Sequence, residues 1–193
     1  HTTFIQHLID ARTPIILFNR INESLTVPQV IFDDYKWALF ATEHLIEQGC
    51  KKIYHFSGPR HLCLSKNRMK GYMRAMEKHQ LPFEESFVIE TGFSFEDGEK
   101  NMERLIRSDD LPDAIFTVND PTAIGAMKVL KKYGIRIPQD MAVVGFSDSK
   151  MAEIIEPQLT SVSQPTFEMG RTAAHLLLKL IESNEEPSTE TIV

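Results

Sequence analysis

Cysteine is scarce in this chain: two in 193 residues, too few for a disulfide framework. Cys50 and Cys63 read instead as reduced thiols of a cytosolic protein. Together with His55 and His61 they match no zinc spacing, so no metal is expected. Positive charge is also short. Lys and Arg number 21 against 27 Asp and Glu, a formal net charge of -6. That excludes an electrostatic footprint for nucleic acid or an anionic membrane within this segment. No apolar run is long enough to span a bilayer, so no membrane is expected. Glycine is sparse and forms no phosphate loop, and no G-x-S-x-G elbow occurs. The acidic pairs Asp33-Asp34, Glu84-Glu85 and Asp109-Asp110 read as caps or solvated surface, not as a glycosidase pair. With no nucleophile-and-base constellation and no cofactor loop, neither catalysis nor a cofactor is expected.

The start is equally bare. His1-Thr-Thr-Phe4 lacks the basic and apolar stretches of a signal peptide, and there is no initiator Met. The chain is expected to be a fragment whose natural N-terminus lies upstream.

What is present is an alternation of helix and strand. Phe4, Ile5, Leu8 and Ile9 mark a helix, and Ile15 to Phe18 and Val30 to Phe32 mark strands. Asp33 and Asp34 can cap a helix carrying Ala38, Ala41, Leu45 and Ile46, which Gly49 ends. Ile53 to Ser57 is a strand, and Met69, Tyr72, Met73 and Met76 mark the next helix as core filler. Strands follow at Phe87 to Glu90, Ala114 to Val118 and Met141 to Phe146. A long helix after Gln164-Pro165 carries Gly170, Ala173, Ala174, Leu177, Leu180 and Ile181 on one face. Lys150 to Pro165 breaks the rhythm, shows no clear helix and suggests a crossing between lobes. Ser183 to Glu190 reads as a linker, and Thr191-Ile-Val193 as the opening of a strand. Repeated strand–helix units predict parallel sheets with right-handed crossovers.

Polar and aromatic residues recur just after the strands. Asn19 follows the first strand, Phe93 comes soon after the fourth, and Asp120 and Asp148 follow the last two. In a parallel sheet these ends lie on one edge, where open α/β sheets bind ligands. The stretch Val118-Asn-Asp-Pro121 stops a strand and starts a helix at once. Asp120 is there either as an N-cap or as a ligand carboxylate. Arg68, at the opening of the Met69 helix, opposes the macrodipole and is either a solvated first-turn Arg or one kept for binding. The combination suits polyol recognition. A guanidinium fork donates to neighbouring hydroxyls, a carboxylate accepts from them, and an aromatic face such as Phe93 packs on a sugar ring.

Four segments carry a family resemblance. Ser65-Lys-Asn-Arg-Met-Lys-Gly-Tyr72, Val118-Asn-Asp120, Ala142-Val-Val-Gly-Phe-Ser-Asp148 and Leu159-Thr-Ser-Val-Ser-Gln-Pro165, followed by Glu168-Met-Gly170, resemble the effector-binding core of LacI/GalR transcription regulators, in order along the whole chain. The resemblance implies an α/β fold of periplasmic-binding-protein-like type I, with two Rossmann-like lobes, parallel sheets and an incomplete N-terminal lobe. Residues 1–32 with 156–186 would form the N-terminal lobe, and 33–155 with 191–193 the C-terminal lobe. A DNA-binding helix-turn-helix domain would be absent from this chain. Arg68 resembles the family's effector-binding arginine, Asp120 its aspartate, and Phe93 its aromatic. Asn19 stands where many members have Asp. Asp148 matches, while Ser147 replaces the first Asp of the commoner Phe-Asp-Asp. The implied protein is a cytoplasmic, homodimeric repressor. It would bind a sugar or related metabolite between its lobes and operator DNA through the absent domain. The alternative is an exported sugar-binding protein for transport or chemotaxis. Arg68→Ala and Asp120→Ala are each expected to weaken effector binding without unfolding the domain.

Overall fold

A computed structural model describes residues 2–22, 24–108, 110–182 and 190–192. The chain runs α1 (Thr2–Asp10), β1 (Leu17–Phe18), β2 (Gln29–Phe32), α2 (Asp34–Glu47), β3 (Ile53–Ser57), α3 (Cys63–Lys78), β4 (Val88–Glu90) and α4 (Phe95–Ile106). It continues through β5 (Ala114–Thr117), α5 (Asp120–Lys132), β6 (Ala142–Ser147), α6 (Lys150–Ile154), β7 (Thr160–Ser163), α7 (Thr166–Glu182) and β8 (Glu190–Ile192). Two compact units result, one from residues 1–33 with 165–193 and one from residues 34–164.

The first unit holds a parallel sheet in the order β1-β2-β8. α7 buries Met169, Ala173 and Leu176. This stripe at i, i+4, i+7 differs from the face read off the sequence, and Ile181 is exposed.

The second unit is a five-stranded parallel sheet in the order β4-β3-β5-β6-β7. Its side chains alternate as strand geometry requires. Tyr54, Phe56 and Ile115 pack with Met102 of α4 and Met127 and Leu130 of α5. On the other face, His55 stacks between Tyr72 of α3 and Phe116. The chain passes from β3 out to β4 and returns to β5 beside β3, so the strand order reverses between β3 and β5. A reversal of this kind opens a crevice at the carboxyl ends of the two strands.

Helix spacing in this unit depends on two glycines. A methyl on Gly125 of α5 would overlap the Phe95 carbonyl oxygen, and one on Gly98 of α4 would overlap that of Thr122. The two helices therefore meet backbone to backbone, which only glycine permits.

Several expectations fall otherwise. Residues 150–165 contain a short helix, α6, and a strand, β7. β7 extends the second unit's sheet, with Val144 opposite Thr160, so residues 156–163 do not join the first unit. The open edge of β6 supplies the backbone partners that place them there. Thr191 likewise pairs with Ile31 of β2, which puts 191–192 in the first unit instead of the second. Residues 183–189 and 193 of the expected linker and strand lie outside the described residues. Met73 is 38 % exposed and is not core filler. Among the described residues, no helix is long and apolar enough to cross a membrane.

Candidate functional site

The carboxyl edge of the second unit's sheet gathers Arg68, Phe93, Asn119, Asp120 and Asp148. Asn19 belongs to the first unit, after β1, exposed and left-handed at φ 61°.

The turn after β5 explains the edge. Asn119, not Asp120, caps α5: its side-chain oxygen accepts the Thr122 N–H at 3.0 Å, with Pro121 in the first turn. Its amide donates to the Phe93 carbonyl at 2.9 Å, which ties the β4–α4 loop to the β5–α5 turn. Asp120 is fully buried. Its Oδ2 accepts the Ser149 N–H at 2.6 Å and its Oδ1 the Ser161 hydroxyl at 2.5 Å. Gly145 makes room for this carboxylate, because a Cβ there would collide with Oδ1. Both oxygens are thus occupied inside the unit, and Asp120 braces the β6–α6 loop against β7.

That loop is strained. Ser147 has φ 109° and Asp148 φ 52°, both in the region L-residues avoid. The Asp148 N–H donates to Ser161 Oγ at 3.0 Å, and its side chain is exposed. Strain held by fixed partners is a common property of binding sites. Here it falls at Ser147 and Asp148, directly after β6.

Arg68 is not a first-turn residue, since α3 begins at Cys63. Its side chain runs inward and is 4 % exposed. Nε and Nη2 donate to Asp34 Oδ1 at 2.8 and 2.7 Å, and Nη1 donates to the Val118 carbonyl. The guanidinium lies over the Phe146 ring, 3.6 Å from its centroid. Burial pushes its pKa down, and the charges of Asp34 and Asp120 oppose that shift. Three of the five N–H donors of a guanidinium are engaged in this way.

Gly58 lies at the reversal point. A Cβ on it would stand 2.5 Å from Ser65 Oγ and 3.0 Å from Phe93 Cε1 and Val118 Cγ2. Backbone, ring and hydroxyl converge there because glycine leaves the space. His55, three residues earlier in β3, is fully buried, with Nδ1 2.9 Å from the Phe116 carbonyl oxygen. Burial holds its pKa down at about 4; the Phe116 bond opposes this and the Arg68 charge adds to it. Among the described residues, no group of three His, Cys, Asp or Glu could hold a metal ion. Sequence reading missed Asp34, Phe146 and Ser161. Asp34 read as a cap and Ser161 as part of the resemblance segment 159–165, and no local signal pairs either with its partner.

The architecture is that of a parallel α/β protein whose polar groups converge where the strand order reverses. A model of the periplasmic binding protein-like domain matches residues 42–193. The HTH-type transcriptional repressor CytR of Escherichia coli (strain K12) is 32 % identical over 165 residues, covering 86 % of this chain and 48 % of that protein. The crystal structure of the transcription regulator CcpA of Lactococcus lactis superposes with a TM-score of 0.92 at 28 % identity, over 100 % of this chain and 71 % of that one. A complex of the transcriptional regulator CelR with cellobiose gives 0.91 at 34 % identity, over 97 % of this chain and 58 % of that one. The chain belongs to the periplasmic-binding-protein-like family, as the effector-binding core of LacI-type regulators. It spans about half the length of the curated relatives it matches. These relatives are transcriptional regulators, not enzymes.

Proposed function

We propose that this chain is the effector-sensing part of a cytoplasmic transcriptional repressor. A sugar or related small metabolite binds at the carboxyl edge of the second unit. The ligand changes the affinity of the intact, homodimeric protein for operator DNA, which is bound through a segment outside this chain. Such coupling is reciprocal, so DNA changes the affinity for the ligand by the same factor. Arg68, Phe93 and Asp148 of the second unit contact the ligand. Asp120 acts by positioning the Ser147–Ser149 loop. No step requires a nucleophile, and the chain is not an enzyme.

The observation that carries this reading is Arg68. A cation is costly to bury and is kept where its donors are needed. This one is held in three directions at the strand-order reversal, with N–H groups on Nη1 and Nη2 left to donate. The bound cellobiose of the similar CelR structure supports a sugar as the ligand class. The test is promoter binding by the intact protein, with and without each of a panel of sugars. A change of about tenfold or more with one sugar is expected, the usual scale of such coupling. DNA binding that no sugar alters would contradict the reading.

A further inference from the structure

At the carboxyl edge a guanidinium charge is matched before any ligand arrives. Arg68 and Asp34 are 4 % and 6 % exposed. The edge of the fork formed by Nε and Nη2 lies on Asp34 Oδ1. That same edge is the one a guanidinium offers to a phosphate or carboxylate in a bidentate grip. Nη1 meets a neutral carbonyl, and the guanidinium face is covered by Phe146. A second buried carboxylate, Asp120, lies close enough to act on the same charge. Among the described residues, the buried ionic groups at this edge are one cation, Arg68, and two anions, Asp34 and Asp120. The basic residues nearest in sequence to Arg68 face elsewhere. Arg60 lies 3.5 Å from Glu90 and 3.7 Å from Glu85, and Lys66 is exposed.

We infer that Asp34 sets the charge preference of this site: by occupying the bidentate edge of Arg68 it makes the site select uncharged polyhydroxy ligands and reject phosphorylated or carboxylated ones. The inference rests on the ligand site proposed above. The donors remaining on Nη1 and Nη2 suit hydroxyl oxygens, which accept single hydrogen bonds without bringing charge. An anion would have to shed its water and then face an excess of negative charge at low dielectric. Rejection is thus built in by a repulsive element and not only by a missing contact. Asp34 is a positioning residue: it acts on the ligand through Arg68.

The test uses inorganic phosphate, glucose and glucose 6-phosphate as probes on the intact protein. The readouts are the Arg68 Nε–H resonance and the unfolding midpoint. In the wild type, millimolar phosphate and glucose 6-phosphate are expected to leave both unmoved. In Asp34→Asn the amide oxygen still accepts from Arg68, but the charge is gone. Both anions are then expected to shift the resonance saturably, with apparent affinity raised roughly tenfold or more. Asp34→Ser, also neutral, serves where the Asn variant does not fold. Equal anion responses in wild type and variant overturn the inference, as does the absence of any response in either. Saturable binding of phosphate or glucose 6-phosphate at Arg68 of the wild type overturns it without a variant. Failure of the underlying ligand site reads differently: neutral sugars would then leave Phe93, Asn119 and Ser147 unmoved, whichever way the anions behave.

Discussion

The guanidinium carbon of Arg68 lies 3.6 Å from the centre of the Phe146 ring. Both side chains are buried, and their contact joins α3 to the end of β6. Phe146→Leu is expected to cost about 3 kcal/mol, part from lost volume and part from the desolvated cation–π contact. Phe56→Leu removes an equally buried ring from the opposite, apolar face of the sheet. It should cost about 1–2 kcal/mol less. Urea unfolding of both variants checks this, and equal losses would remove the cation–π contribution.

Substitution of the two central ionic groups is harsher than the sequence suggests. Arg68→Ala removes the guanidinium that donates twice to the buried Asp34, and Asp120→Ala removes the acceptor of the Ser149 N–H and the Ser161 hydroxyl. Breaking a buried ion pair costs about 3–5 kcal/mol. Leaving a buried hydrogen-bonding group without a partner costs about 1–3 kcal/mol. Both variants are therefore expected to unfold at clearly lower urea than the wild type. A full-strength fold in either would contradict the geometry described.

His55 makes stability fall in acid. Its pKa is lowered from the usual 6.5 to about 4 by burial, so the folded state holds the ring neutral. Unfolding then takes up a proton wherever the pH lies below about 6.5. The contribution is intact above that value and is lost progressively as pH falls toward 4. About 2 kcal/mol less stability is expected at pH 5 than at pH 8 from this group. His55→Phe should flatten that slope. An imidazole that titrates near 6.5 in the folded protein would contradict the account.

Two glycines should respond to alanine with opposite signs. Gly125→Ala forces a methyl against the Phe95 carbonyl, and α4 must move. The overpacking cost of about 1–3 kcal/mol outweighs the gain in helix propensity of about 1 kcal/mol. Gly170 in α7 has nothing within 4 Å of an added Cβ. Gly170→Ala should stabilise by about 0.5–1 kcal/mol. Thermal unfolding of the pair gives the answer, and two shifts of the same sign would refute the packing argument.

The sequence declares what local chemistry decides. Val118-Asn-Asp-Pro121 announces both the end of a strand and the start of α5, and the structure places the boundary there. Fold class follows from repetition of that signal. What stays hidden depends on partners distant in sequence. β7 has the exposed, polar look of a loop because it is an edge strand, and only the open side of β6 defines it. Arg68 reads either as a solvated first-turn cation or as one kept for binding, and its burial stays hidden because its carboxylate stands 34 residues earlier. Gly98 and Gly125 read as tolerated helix glycines until the facing carbonyls are seen. Asp120 carries the clearest sequence signal of the candidate site. Its bonds to Ser149 and Ser161, 29 and 41 residues away, carry no signal in any local spacing.

The central claim is that a small neutral ligand binds at the carboxyl edge of the second unit. The most direct measurement is a backbone-amide chemical-shift map of the intact protein titrated with a panel of neutral mono- and disaccharides. One sugar should give saturable shifts concentrated at Ser57–Gly58, Phe93, Asn119 and Ser147–Asp148, with the Arg68 Nε–H among the largest. Shifts confined to other surfaces, such as the groove lined by Tyr35, Met73 and Phe83, would contradict the claim. So would a panel in which no sugar moves the edge.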